Sequence, residues 1–263
     1  MKNGFCCAEA GRTDNCIKIL AVGNSFSQDT TTFLRNMALA DGVDLRVAYL
    51  YIGGCSLERH YDNITNGKQD YEFRYYTPER VFEISPVSLD FGLEAADWDY
   101  VTVQQVSGKS GKYETFQPFA KELISHIRSK VPSAKLRLHM TWSYLENSPD
   151  LSDNGYLSQA DMYEKIKLAY AEFSKETDAA PIIPSGEAVQ SARQSFMGDT
   201  FNRDALHLND RGKILTGYVW YEHFTGISPF ESKYDPACDC ALSPQEIKTI
   251  KACAHRAAEN YGG

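Results

Sequence analysis

Along the first two thirds of the chain, apolar residues gather in short runs. Ile17 to Val22 (IKILAV), Leu45 to Tyr51 (LRVAYLY), Tyr100 to Val106 (YVTVQQV) and Leu136 to Trp142 (LRLHMTW) are short, mostly apolar and β-favouring, and a weaker run lies at Pro181 to Ile183. Runs of that length bounded by turn residues predict five buried strands. Between them apolar residues recur at helical spacing, as with Phe33, Leu34, Met37 and Ala38 inside Gln28 to Ala40. Further helices are expected at Phe116 to Lys130, Gln159 to Lys175, Gly186 to Phe196, Asp210 to Phe224 and Ser243 to Asn260. Strands alternating with helices imply a three-layer α/β/α sandwich around a flavodoxin-like, mainly parallel five-stranded sheet.

The stretch from Gly53 to Asp97 breaks the alternation, with only a short helix expected near Val87 to Ala96. Long loops in compact domains usually serve function. This one carries Tyr61, Tyr71, Phe73, Tyr75 and Tyr76, so the expectation for residues 53–97 is an ordered active-site loop that caps the site. With neither repeat nor linker evident, residues 1–263 read as one domain whose first fifteen residues are peripheral.

Composition narrows the function. The 263 residues hold 27 basic and 35 acidic side chains, for a formal charge of −8, and no Lys/Arg block. Nucleic acid is therefore excluded as a partner, because phosphate neutralisation needs a basic footprint. No stretch approaches the roughly 18 apolar residues of a membrane span, and the first residues lack the apolar core of a signal peptide. The compartment stays open: cytoplasmic, or periplasmic or secreted if a signal peptide has been removed. Seven cysteines, an odd number without paired C-x-x-C spacing, suit neither a disulfide framework nor a zinc site. Neither metal nor cofactor is expected, and nothing in the sequence speaks to oligomeric state.

Candidate chemistry sits in two places. Ser25 follows the first strand at the turn into the first helix, the end of a parallel strand where α/β sheets bind ligands. Near the C-terminus stands Arg203-Asp204-Ala205-Leu206-His207. A serine hydroxyl is a poor nucleophile until an imidazole takes its proton, and that imidazole needs a carboxylate on its other nitrogen. An aspartate three residues before the histidine, on one turn, supplies it.

Taken in order, Gly23-Asn24-Ser25-Phe26-Ser27, Gly53-Gly54-Cys55-Ser56-Leu57, Gln104-Gln105 and Asp204 to Gly212 resemble the blocks of the SGNH (GDSL-like) hydrolase superfamily, and more closely a branch of uncharacterised function. The resemblance spans about Ile17 to Ser228. It implies Ser25 as nucleophile, His207 as general base and Asp204 as its orienting acid, with an oxyanion hole of the Ser25 and Gly54 N–H groups plus a side-chain amide. Where that superfamily places asparagine for the third donor, this chain has Gln104 and Gln105; strand alternation leaves one facing the site, and Gln105 is favoured. Asn24 replaces the superfamily's usual aspartate. His60, Trp142 and Tyr75 are expected to line the substrate cleft. The implied activity is hydrolysis of an ester through an acyl-enzyme, with a short acyl group such as acetyl on a carbohydrate or related small ester as substrate. Acyl transfer to a sugar hydroxyl, lipid or thioester hydrolysis, and carbohydrate binding on a degenerate hydrolase scaffold are the alternatives.

Overall fold

In the computed structural model, which describes residues 16–261, strand β1 (Ile17–Gly23) lies at the centre of a seven-stranded sheet. The expectation of a peripheral segment over residues 1–15 falls outside the described residues. Ile19 to Val22 are all buried, as a strand covered on both faces requires, which is why this run is apolar throughout and does not alternate.

After β1 come α1 (Ser25–Thr31), α2 (Leu34–Asp41) and β2 (Leu45–Tyr51). The expected single helix is thus two. Thr30, Thr31 and Thr32 fall at the break, and the hydroxyls of Thr31 and Thr32 accept no helical role but donate back to the carbonyls of Ser27 and Gln28 at 2.9 Å each. Such back-bonding, with β-branched crowding, weakens and bends a helix.

The remaining parallel strands are β5 (Tyr100–Val103), β6 (Lys135–His139) and β7 (Ile182–Ile183), with α5 (Phe119–Lys130), α6 (Pro149–Asp153), α7 (Gln159–Glu176), α8 (Ser185–Arg193), α9 (Asp210–Thr225) and α10 (Pro244–Tyr261) between and beyond them. The sheet order β2-β1-β5-β6-β7 is parallel throughout, the flavodoxin-like arrangement expected.

The sheet is larger than the expected five strands because residues 53–97 are not a loop. They form α3 (Leu57–Thr65), β3 (Tyr71–Tyr76), β4 (Val81–Val87) and α4 (Leu89–Glu94). β3 adds antiparallel to β2, and β4 to β3. In YEFRYY the residues Tyr71, Phe73 and Tyr75 are buried while Glu72, Arg74 and Tyr76 face outward, the period-2 pattern of a half-covered strand. A tight turn closes the hairpin through Thr77 N–H to Arg80 O at 2.9 Å. Of the aromatic residues that suggested a cap, Tyr71, Phe73 and Tyr75 are the inner face of a sheet extension, Tyr76 is on its outer face and Tyr61 is on α3, and Pro86 marks β4 as the edge strand that tolerates it.

β1 pairs with β2 on one side and β5 on the other. The chain leaving β1 runs out to β2 and the chain leaving β5 runs out to β6 on the opposite side, so the border of β1 and β5 is the switch point where such sheets bind ligands. Ser25 follows the C-terminal end of β1 at that border.

Candidate active site

The turn from β1 into α1 is built around Asn24. Its backbone is extended (φ −140°, ψ −157°) and its Oδ1 accepts the Phe26 N–H at 3.1 Å, an N-cap that starts the helix at Ser25. Its Nδ2 donates to Cys55 O at 3.0 Å, which ties the turn to the Gly53-Gly54 segment. Gly54 has φ +62°, a backbone conformation that favours glycine. Gly53 and Gly54 are exposed and Ser25 is half-buried.

The second half of the site is the loop from Phe201 to Asn209. Arg203 N–H donates to His207 O and Asn209 N–H to Phe201 O, both at 2.9 Å, so the loop closes on itself. Within it, Asp204 Oδ1 accepts the backbone N–H groups of His207 (2.7 Å) and Leu206 (2.9 Å), while Oδ2 lies 2.9 Å from His207 Nδ1. Burial pushes the Asp204 carboxyl up, but these donors outweigh it and hold the group below its ordinary range. It therefore stays an acceptor, and an acceptor at Nδ1 places the ring proton there. Nε2 is left with its lone pair toward Ser25 Oγ, 2.9 Å away. The structure thus brings together Ser25, His207 and Asp204, which are far apart in sequence.

Two residues of α1, Phe26 and Asp29, hold that loop in place. Phe26 stacks on Trp142 with ring centroids 4.1 Å apart and meets the His207 ring edge-on at 6.1 Å. The Trp142 indole in turn donates to Leu206 O at 2.8 Å. Asp29, 3 % exposed, accepts Leu208 N–H at 2.9 Å and Arg203 Nη1 at 2.8 Å, and Arg203 also reaches the Leu208 carbonyl. Burial pushes the Asp29 carboxyl up, opposed by Arg203 and Leu208. Asp29 was not among the expected site residues. Its signal was a carboxylate at i+3 from Phe26 and i−4 from Phe33, inside the stripe that periodicity assigns to the core.

Several expected roles change. Trp142 is fully buried, so it supports the site from below and does not form a pocket wall. His60 is fully buried on α3 and bonded to Tyr71 Oη at 2.9 Å; burial drives its pKa down to about 3. Tyr75 packs in the sheet extension edge-on to Trp98 at 5.5 Å. Neither lines the cleft. The reason is common to both: residues 53–97 fold against the sheet and share its core, so their inward side chains are buried there.

The glutamine pair also departs from expectation. β5 ends at Val103, so strand alternation does not extend to Gln104 and Gln105, and both are buried (1 % and 0 % exposed). Gln105 Oε1 accepts the N–H groups of Leu57 (3.1 Å) and Val106 (2.8 Å), and its Nε2 donates to Thr115 O at 3.1 Å. It fastens the start of α3 behind Gly53-Gly54. Gln104 Nε2 donates to Asn24 Oδ1 at 2.7 Å, and its Oε1 accepts Ser27 Oγ at 2.7 Å and His139 Nδ1 at 2.6 Å. Neither carboxamide opens to the cleft.

Near this turn the Cys55 thiol is pushed up to about 12 by burial, which leaves it no thiolate character at neutral pH and makes Ser25 the nucleophile candidate of the site. Among the described residues, no group of three or more His, Cys, Asp or Glu side chains stands together as a metal ion would need, and no helix is long and apolar enough to cross a membrane.

The profile of the DUF4886 family, a domain of unknown function, matches residues 18–257. Among solved structures, a DUF4886 family protein from Bacteroides uniformis is 34% identical with a TM-score of 0.86, covering 92% of this chain and 94% of its own. A protein from Slackia heliotrinireducens provisionally assigned to the SGNH hydrolases is 21% identical with a TM-score of 0.55, covering 79% of this chain and 98% of its own. One from Parabacteroides merdae, provisionally assigned as a GDSL-like lipase, is 13% identical with a TM-score of 0.55, covering 82% and 98%. Both share the fold of this chain. Among curated proteins, none matches it.

Proposed function

We propose that this chain, which belongs to the DUF4886 family and carries the SGNH-type α/β/α fold, is a serine ester hydrolase working through an acyl-enzyme. The observation that carries the reading is the unbroken line Ser25 Oγ, His207 Nε2, His207 Nδ1, Asp204 Oδ2, with both contacts at 2.9 Å. His207 takes the hydroxyl proton as Ser25 Oγ attacks the ester carbonyl, Asp204 steadies the resulting imidazolium, and the same ring returns the proton to the departing alkoxide. Water then repeats the cycle and releases the acid.

The developing oxyanion rests on the N–H groups of Ser25 and Gly54. Ser25 opens α1, where no carbonyl of the same helix can accept its N–H. Because both glutamine carboxamides are engaged in the interior, the hole relies on backbone donors, and the side-chain third donor expected from the superfamily is not assigned to either.

For the substrate we assign a short acyl group, acetyl in the first instance, on a carbohydrate or similarly polar alcohol. The support is the approach to Ser25, flanked by exposed Gly53 and Gly54 on one side and by exposed Arg203 and Asp204 on the other, which leaves room for a bulky polar alcohol.

The reading is tested with a small activated aryl acetate. Wild type should hydrolyse it, and Ser25→Ala and His207→Ala should each lose on the order of 1000-fold or more in kcat. Equal rates for wild type and Ser25→Ala would remove the assignment. Product analysis with an acetylated oligosaccharide then separates release of free acetate from transfer to a second sugar.

A further inference from the structure

The two places where this sequence departs from the superfamily pattern meet in space. Asn24 stands where aspartate is usual, and the glutamine pair where asparagine is usual; Gln104 Nε2 donates to Asn24 Oδ1 at 2.7 Å. Since Asn24 Oδ1 also accepts Phe26 N–H, that atom is an acceptor, which fixes the Gln104 amide orientation: its nitrogen faces Asn24 and its oxygen faces Ser27 and His139. His139 must then carry its proton on Nδ1, and its Nε2 accepts from Ser185 Oγ at 3.1 Å.

The chain Cys55, Asn24, Gln104, His139, Ser185 crosses from the Gly53-Gly54 segment, beneath the Ser25 turn, through the ends of β5 and β6, to the first residue of α8. Asn24, Ser27, Gln104, His139 and Ser185 are all buried. The packing is close: a Cβ at Gly23 would lie 2.3 Å from Ser27 Oγ and 3.1 Å from Gln104 Cδ, so glycine at 23 is what lets the amide sit under the turn. Satisfied buried networks of this kind rigidify what they touch, and partly satisfied ones are costly. The triad reading makes no use of His139.

We propose that His139, acting through Gln104, is a positioning residue that sets the Ser25 turn and the Gly54 N–H relative to each other. This rests on the reading of Ser25 as nucleophile. The neutral Asn24–Gln104 pair does here, by amide hydrogen bonding alone, what needs no charge, and the imidazole fixes which way the pair points.

The test is the rate at which Ser25 reacts with an alkyl fluorophosphonate, measured per folded molecule alongside the melting temperature. In that reaction the Oγ–P bond forms, the P–F bond breaks, fluoride leaves, and the hydroxyl proton passes to His207. His139→Leu removes the donor to Gln104, and small displacements of reacting groups are expensive, so its labelling should slow by about 10-fold or more. In His139→Asn the side-chain nitrogen occupies nearly the place of Nδ1 and can donate to Gln104 Oε1, so its rate should recover to within about 3-fold of wild type. A purely structural role would lower the melting temperature of both variants and leave the rates of the folded molecules alike.

His139→Leu reacting at the wild-type rate per folded molecule overturns the proposal. Should that variant not fold, Ser185→Ala decides, because it removes one hydroxyl only: a slowing of about 2- to 5-fold supports the relay and a wild-type rate overturns it. Wild type left unlabelled at Ser25 is a different result. It removes the nucleophile reading itself, and the proposal with it.

Discussion

Asp204→Asn separates a charge-orienting role for Asp204 from a merely structural one, because the side chain's two oxygens do different work. Oδ1 accepts two backbone N–H groups and shapes the turn; Oδ2 accepts His207 Nδ1. An asparagine that keeps its oxygen on the backbone must turn its NH2 toward Nδ1. The ring then shifts its proton to Nε2, where it points at Ser25 Oγ and cannot accept the hydroxyl proton. In this rotamer the loop is intact and the base is lost, a change that lowers kcat on the order of 10,000-fold where such a triad is known.

The escape is to flip the amide and restore the correct tautomer, at the loss of two backbone hydrogen bonds worth about 1 kcal/mol each. That is about 2 kcal/mol, which leaves roughly one molecule in 30 competent, since 1.4 kcal/mol is a factor of ten. The expected loss in kcat for an aryl acetate therefore lies between about 30-fold and 10,000-fold, with KM and the melting temperature little changed. Asp204→Ala imposes no wrong tautomer on the ring, so once corrected for folded fraction it should be no slower than Asp204→Asn. An Asp204→Asn enzyme within a few-fold of wild type would refute the tautomer reasoning.

Three further outcomes follow from the same contacts. Asn24→Asp, which restores the superfamily's usual residue, should destabilise this protein by about 1–3 kcal/mol in chemical denaturation, because a buried carboxylate oxygen then faces Cys55 O in place of a donor; unchanged stability would mean the Asn24–Cys55 contact carries nothing. Asp29→Ala unties the Leu208 N–H from α1 and removes the buried carboxylate that holds Arg203, so kcat should fall by about 10- to 100-fold with the Ser25 nucleophile untouched; a full-rate variant would show that Trp142 and Phe26 suffice. Burial lowers the pKa of His60 and His139 to about 3 and, with Arg137 nearby, that of His223 to about 4. Depressed folded values mean the unfolded chain takes up protons first as pH falls below about 6.5, so each histidine stabilises the fold above that pH and withdraws about 1.4 kcal/mol per pH unit below it. Urea midpoints between pH 7 and pH 4.5 should fall, and less steeply for His139→Asn; equal slopes would contradict a neutral buried His139.

What could be read from the sequence were features with a local cause. The strands β1, β2 and β5 announce themselves because a covered parallel strand is mostly apolar on both faces, and β6 through the apolar residues at the end of its run. Ser25, Asp204 and His207 are legible because each sits where a strand end or a tight turn imposes its own residue types. The hairpin β3–β4 was present as an alternation in YEFRYY, but its aromatic residues also suit a cap, and only the antiparallel pairing with β2 decides between them. The fates of Gln104, Gln105, His60 and Trp142 were beyond local pattern. A polar or aromatic side chain at a strand end can turn outward to a ligand or inward to a partner, and the partners here, Asn24, Leu57, Tyr71 and Leu206, lie on other elements. Sequence determined which residues could do chemistry; tertiary packing decided which of them face the cleft and which hold it in shape, because a buried hydrogen bond is settled only when both ends are in place.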